Sequence, residues 1–357
     1  MKCLIITPWC YDLELDKVKG TPENAYLKKE LEKRGIEIEV LCPKTPHFPK
    51  IKKGKLSFIA EGCYDRHIFK LIKDKNFDFG ISITGLGARA LKKTKKPFFI
   101  KYLGVFDFFL IRGIKRYLYH RRLYISAKTK PLGIVMTDDG TKGHMAVKEA
   151  GYKGDVLFLK NGYFKGLLNI DRVNDNQDVI NIGFASSLEL IKGIDFLISI
   201  INELIGKEKF RFIIAGDGTY KEKIEELSAR YPNKVKYIGY LPYLKMPEFY
   251  KNIDILLSLN RYSNGTLPVV EAQAAGIPVI AFDIQETSKF IKHNVSGFLA
   301  EPFDIKSIVF LLKTLRKKQI LGMKNNTMQF AENTFMDMEK RAKMEVDFYL
   351  ERLNEGY

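Results

Sequence analysis

Short apolar runs recur along this chain, and each leads through a polar loop into a stretch with helical spacing. Runs at 3–7, 36–42, 79–84, 97–103, 132–137 and 155–159 form one series, and runs at 179–184, 210–215, 235–238, 253–259 and 279–282 form a second. They are rich in Ile, Leu, Val and Phe, and apart from 36–42, which reads IEIEVLC, they do not alternate with polar residues, which is the pattern of parallel strands buried on both faces. Helices are expected at 23–34, from Gly193 onward, at 220–230, 246–250 and 304–315, and over most of 328–353. Strands alternating with helices predict an α/β protein of doubly wound sheets. Two series in 357 residues predict two domains, at 1–165 and 178–335, followed by a final helical segment at 336–357. The polar stretch 167–177, with DRVNDNQ at its centre, is the linker candidate.

One stretch organises the second series. Residues 254–283 read DILLSLNRYSNGTLPVVEAQAAGIPVIAFD, a buried strand, a polar loop, a helix opened by Pro268 and closed by Gly276-Ile277-Pro278, and another strand. In open α/β sheets ligands sit at the carboxyl ends of strands, which is where the loop Ser263-Asn264-Gly265-Thr266-Leu267 falls. Gly265 permits close backbone approach, and the N–H groups here can face an anion. Glu271, further into the helix, has two readings. It is a clamp for two vicinal hydroxyls of a ribose or sugar, or a solvated carboxylate that offsets the helix dipole. The turn Gly216-Asp217-Gly218 follows the run 210–215 and is by itself a weak signal.

Composition changes the picture only in part. A formal charge of +17 admits a phosphorylated ligand, anionic lipid or nucleic acid as partner, but the Lys residues are scattered as on any solvated surface. The stretch 106–130, FDFFLIRGIKRYLYHRRLYISAKTK, concentrates aromatic and basic residues. It reads as an ordinary helix with core aromatics, as a surface for anionic lipid, or, more weakly, as a nucleic-acid contact. Cys3, Cys10, Cys42 and Cys63 make no CxxC pair, so zinc is not expected and reduced thiols are. Asp138-Asp139 invites a divalent-metal reading, but nothing nearby supplies a third ligand, so no metal is expected. No apolar run is long enough to span a bilayer, and no signal peptide is evident.

The stretch Glu271-Ala272-Gln273-Ala274-Ala275-Gly276-Ile277-Pro278-Val279 resembles the signature of retaining GT-B nucleotide-sugar glycosyltransferases of glycosyltransferase family 4, also called glycosyl transferases group 1. That signature carries an earlier Glu where this chain has Ser263; Ser263, Asn264 and Pro268 are similar to a Ser-Asn subgroup. Lys192-Gly193 and Gly216-Asp217-Gly218 fall in the family's order, with Ser187 where an Arg is usual. The stretch Lys101-Tyr102-Leu103-Gly104 lacks the family's His, and Lys160-Asn161-Gly162 resembles its domain-border Asn-Gly. The resemblance implies two Rossmann-like domains facing a cleft, with the last helix returning to the first domain. It implies a donor site of Ser187, Lys192, Gly216, Asp217, Gly218, Tyr240, Leu241, Ser263, Asn264, Gly265, Thr266, Leu267 and Glu271, with Gly20 and Thr21 in the first domain. Lys192, Glu271 and Asn264 are the expected catalytic set, Lys192 on the donor diphosphate, with a surface Lys before a helix as the plainer reading. Lys101 and Tyr102 are candidate cleft residues, and Asp138-Asp139 a cleft-lining or capping pair. The implied activity is transfer of a sugar, with retention, from a nucleoside diphosphate sugar to a hydroxyl of a glycan or lipid-linked acceptor. No tightly bound cofactor is expected, and the implied setting is cytoplasmic, with an anionic membrane surface as a further partner. Other readings are a nucleotide-sugar-binding protein without catalysis, a GT-B epimerase or phosphorylase, and an RNA-binding protein.

Overall fold

The computed structural model describes residues 1–18, 21–43, 57–170 and 178–355. Gly20 and the DRVNDNQ part of the linker candidate lie outside the described residues. The first series of strands is β1 (Lys2–Ile6), β2 (Glu37–Leu41), β3 (Phe79–Ile83), β4 (Phe98–Tyr102), β5 (Gly133–Asp138) and β6 (Val156–Lys160). The second is β7 (Ile180–Ala185), β8 (Phe210–Ala215), β9 (Val235–Gly239), β10 (Ile255–Ser258), β11 (Val279–Phe282) and β12 (Gly297–Ala300). They build two six-stranded sheets, ordered β2-β1-β3-β4-β5-β6 and β12-β11-β10-β7-β8-β9. All the registered pairs are parallel. The α/β expectation of two Rossmann-like doubly wound sheets therefore holds. Strand β12 was not anticipated, because Gly297-Phe298-Leu299-Ala300 is too short a run to stand out.

The chain divides into two compact units. One is Met1–Asp138, Lys142–Leu159 and Glu339–Tyr357; the other is Asp139–Thr141 and Lys160–Met338. In each, the period-two alternation of a strand feeds two cores. In the first unit Ile5, Ile81, Phe99 and Val135 pack with Leu27 and Leu31 of the Glu23–Lys33 helix and with Val346, Tyr349 and Leu353 of the Met338–Glu355 helix. Leu4, Ile100, Ile134 and Met136 face the other way, onto Ile68, Leu91 and Val147. In the second unit Ile182, Phe212, Ile255 and Ile280 pack under the Ile194–Leu204 and Ile305–Thr314 helices, while Ala185, Leu256, Val279 and Ala281 meet Val269, Val270 and Ala274 of the Leu267–Ala274 helix.

The terminal helix is fastened to the first unit by charge as well as by apolar contact. Lys101 shares a face of β4 with Phe99, so its ammonium is carried into the core beneath that helix. It is fully buried and pairs with Glu345 Oε2 at 2.9 Å, also donating to the Glu23 carbonyl at 3.4 Å. Arg341 donates to the same carboxylate at 3.3 Å and to Thr137 Oγ1 at 3.0 Å, and the Tyr349 hydroxyl donates to Glu345 Oε1 at 2.7 Å. Arg341, Glu345 and Tyr349 follow one another at helical spacing on one face. The expectation of Lys101 and Tyr102 as open cleft residues is thus corrected: both are buried, and the Tyr102 hydroxyl lies 2.5 Å from Ser126 Oγ. Cys3 is a free buried thiol, but Cys42 is disulfide-bonded, contrary to the expectation of reduced thiols.

Glu345→Ala leaves two cations buried without their shared carboxylate, and urea unfolding is expected to show a loss of about 3–5 kcal/mol. Glu345→Gln, which keeps an acceptor for Tyr349, should fall between. A loss below about 1 kcal/mol in Glu345→Ala would show the cluster to be solvated instead.

Candidate functional site

Strand order in the second unit reverses between β10 and β7. At such a reversal the loops leaving the two neighbouring strands turn to opposite faces and open a crevice at the carboxyl end of the sheet. Here those loops follow β7, with Ser187 and Lys192, and β10, with Ser263 to Leu267.

The two loops are joined by backbone. The Arg261 N–H donates to the Ile191 carbonyl at 3.0 Å, and the Arg261 guanidinium makes two bonds to Asp195, at 2.9 and 2.7 Å. Gly193, at φ +77°, opens the Ile194–Leu204 helix against the Leu259 carbonyl; a Cβ there would lie 2.0 Å from that oxygen. The loop after β8 packs beneath. Gly216 has φ +140°, and a Cβ on it would lie 1.8 Å from the Ser186 carbonyl, while Leu188 N–H donates to the Asp217 carbonyl at 2.9 Å. The glycines of Gly216-Asp217-Gly218 therefore serve loop packing, and the Asp217 side chain turns back to the Gly218 N–H at 2.9 Å.

The loop after β10 is held almost wholly by its own side chains. Asn264 is fully buried: its Oδ1 accepts from Ser258 Oγ at 2.8 Å and Asn260 Nδ2 at 3.3 Å, and its Nδ2 donates to the Phe282 carbonyl at 3.0 Å. Ser263 Oγ donates to the Asp139 carbonyl and accepts the Gly265 N–H at 3.1 Å. Asn161 Nδ2 donates to the Gly265 carbonyl at 2.9 Å. Asp139 is itself shaped by a turn, its Oδ1 accepting from Thr141 N–H at 3.1 Å and Thr141 Oγ1 at 2.5 Å. The Ser263 and Asn264 side chains thus build the loop. The Gly265 N–H, expected to face an anion, is spent inside it; Pro268 has no N–H, and the Val269 and Val270 N–H groups donate to the Thr266 carbonyl at 3.1 and 3.2 Å, which leaves the N–H groups of Thr266 and Leu267 to face a ligand.

Glu271 lies one turn further on and is 1% exposed, which excludes a solvated, dipole-offsetting carboxylate. The Tyr250 hydroxyl donates to its Oε2 at 2.9 Å. No hydrogen bond closes on Oε1 within 3.5 Å, while the Tyr243 hydroxyl, like that of Tyr250, stabilises the ionised carboxylate. Burial pushes the carboxyl from the ordinary range up to about 8, and the two phenols only partly offset that. Lys192 is half-buried; desolvation pulls its ammonium below the usual lysine range, and the Asp139 carboxylate offsets part of the shift. Ser187 is exposed, Tyr240 is 42% exposed after β9, and Leu241 is half-buried. Thr21, in the first unit, donates to the Asp12 carboxylate and accepts from Asn24 Nδ2 at 3.3 Å, a loop-fastening role. Among the described residues no cluster of metal-ligating side chains occurs, and no helix is long and apolar enough to cross a membrane.

Lys192, the 263–267 loop and Glu271 therefore belong to the two elements flanking the reversal. Tyr250, Tyr243, Ser258, Asn260 and Arg261 are partners that sequence reasoning did not single out. The signal open to it was the Asn260/Asn264 pair four residues apart in a loop leaving a buried strand.

Residues 169–334 match the family model described as Glycosyl transferases group 1, somewhat under half of the chain. A 41.2 kDa protein of the cps region of Klebsiella pneumoniae is 29% identical over 174 residues, 47% of this chain and 47% of that protein. The poly(ribitol-phosphate) alpha-N-acetylglucosaminyltransferase of Staphylococcus aureus is 28% identical over 144 residues, 40% of this chain and 29% of that enzyme. The match thus spans about half or less of the length of these curated relatives. Among solved structures, sucrose-phosphate synthase from Thermosynechococcus elongatus superposes with a TM-score of 0.75 at 14% identity, covering 98% of each chain. Anabaena HepE, solved in complex with UDP and glucose, gives 0.66 at 17% identity, covering 98% of this chain and 99% of that one. These likenesses define the class of fold as GT-B. Within it, the second unit is related in sequence to the glycosyl transferases group 1.

Because Glu271 is pushed up, the folded state holds a proton on it that the unfolded chain releases above pH 4.5. Stability therefore falls as pH rises from about 4.5 through about 8. Glu271→Gln, neutral at every pH, is expected to melt higher than the parent in the absence of ligand, with a gap that widens between pH 5 and pH 8 at about 2–4 °C per kcal/mol relieved. Thermal melts of both proteins across that range check it; a gap that stays constant or narrows with pH would mean the carboxylate is ionised in the folded state.

Proposed function

We propose that this protein transfers a sugar from a nucleoside diphosphate sugar to a hydroxyl of a glycan or lipid-linked acceptor, with retention at the anomeric carbon. The observation that carries the reading is that the two elements flanking one strand-order reversal carry a desolvated Lys192 and a buried Glu271 on whose Oε1 no hydrogen bond closes. An ammonium depressed by burial gains most from a ligand that brings negative charge, and a diphosphate does so. A buried carboxyl kept protonated by desolvation gains most from donors that stabilise its ionised form, and the hydroxyl pair of a ribose supplies two. Support also comes from the family match over residues 169–334 and from a solved neighbour that carries UDP and glucose.

In this mechanism Lys192 stabilises charge that grows on the departing diphosphate, assisted by the N–H groups of Thr266 and Leu267 at the start of the Leu267–Ala274 helix. Glu271 accepts from the ribose and fixes the nucleotide; Tyr250 keeps that carboxylate oriented. Tyr240 and Leu241 border the base. Asn264 and Ser263 act as positioning residues that hold the loop, through the bonds described above. The acceptor hydroxyl approaches on the face the diphosphate is leaving, and a donor phosphate oxygen takes its proton. That route needs no protein base in the place of the absent His.

Lys192→Ala should weaken UDP binding about 10- to 100-fold, the loss of one charge-assisted contact, while Lys223→Ala, an exposed lysine on the Lys221–Arg230 helix outside the two loops, should change it less than about twofold. Calorimetry with UDP and GDP measures both. Incubation with mixed nucleotide sugars and a membrane extract, followed by mass spectrometry and NMR of the product, tests the transfer. An inverted product overturns retention, and nucleotide-sugar binding without transfer across acceptors would leave a binding protein instead.

A further inference from the structure

The first unit carries a surface that neither sheet explains. Leu110 is 57% exposed, Ile114 75%, Tyr117 39% and Leu118 42%, with Phe106 and Tyr119 exposed beside them. The other exposed large apolar residues among those described stand singly or in pairs along the chain. Ile114, Tyr117 and Leu118 occupy positions i, i+3 and i+4 of the Gly113–Tyr119 helix, the spacing that gives a helix its core-facing stripe. No residue of that helix is buried.

The segment is nevertheless held firmly. Phe108 is fully buried and meets the rings of Phe109 at 5.0 Å, His120 at 5.1 Å and Tyr124 at 5.8 Å. Asp107 pairs with His120 at 3.1 Å, and Arg116 donates to the Ile111 carbonyl at 2.6 Å and to Glu149. One set of side chains anchors the turn and helix, and a second set is displayed.

The displayed set is apolar and basic. Arg112 and Lys115 are exposed among the aliphatic residues, and Asp107, the sole acid between residues 106 and 130, is turned inward to His120. We propose that this knuckle, residues 106–119, docks the protein on an anionic lipid bilayer. Leu110, Ile114 and Leu118 enter the boundary between headgroups and acyl chains, and Arg112 and Lys115 lie over the lipid phosphates. Phe106, Tyr117 and Tyr119 could stack on bases, but the aliphatic members Leu110, Ile114 and Leu118 offer no flat face, so the ridge as a whole suits acyl chains better than single-stranded RNA. The inference rests on exposure and charge alone and is independent of the proposed transfer reaction.

Co-sedimentation of the full-length protein with vesicles tests it. Binding is expected to mixed phosphatidylcholine–phosphatidylglycerol vesicles and to be much weaker with phosphatidylcholine alone, and to fall with added salt. Ile114→Glu with Leu118→Glu should reduce it at least about tenfold, and Arg112→Ala and Lys115→Ala about fivefold each. Thermal melts and UDP affinity of these variants should match the parent, since the positions are exposed and outside the second unit. Absence of vesicle binding, equal binding to both compositions, or binding unchanged in the double variant overturns the proposal. So does a concentration-dependent dimer, or RNA binding, that the double variant abolishes while vesicle binding persists. UDP titration on the same samples keeps a failure here distinct from a failure of the transferase reading.

Discussion

Much of the second unit depends on one close approach, Gly193 against the Leu259 carbonyl. The reversal between β7 and β10 brings the two loops side by side, but only a residue without Cβ, able to adopt positive φ, lets them touch. Any side chain at Gly193 would push the loops apart and move Lys192 away from the 263–267 loop. Gly216 repeats the device one strand away, against Ser186. The site is thus a set of backbones packed to contact, with few side chains left to face a ligand.

That economy makes Glu271 costly. Most polar side chains around it, Asn264 and Ser263 above all, have exchanged water for protein partners. Glu271 has made that exchange only in part, with the Tyr250 hydroxyl bonded to Oε2 and no hydrogen bond closed on Oε1. A group of this kind is retained against its cost to folding when a ligand repays it, and it biases the site toward ligands that donate two hydrogen bonds from one side.

Most strands and their order of appearance were legible because parallel strands buried on both faces are largely unbroken apolar runs, the edge strand β2 with Glu37 and Glu39 excepted, and because Gly276 and Pro278 punctuate the helix that bears Glu271. The short β12 was not, since four residues carry little pattern. Residue type alone was a poor guide to which loop groups face outward. Ser263 and Asn264 look like ligand contacts until Asp139 and Phe282, distant in sequence, are seen to take their hydrogen bonds. Lys101 looked open for the same reason, since its partner Glu345 lies 244 residues away. The 106–130 stretch held both an anchoring and a displayed set of aromatics, and only burial separates Phe108 from Leu110.

The pairing of Lys101 with Glu345 also has a meaning in time. A chain made from its amino end completes β4 long before the Met338–Glu355 helix exists. Until then the first sheet holds the Lys101 ammonium without its Glu345 partner and a face, with Phe99 and Val135, that the Glu23–Lys33 helix covers only in part. During synthesis the second unit, which needs nothing beyond Met338, has all its parts first. The amino-terminal unit is therefore the last to reach its final packing, and the exposed sheet face is the surface a nascent-chain chaperone would meet.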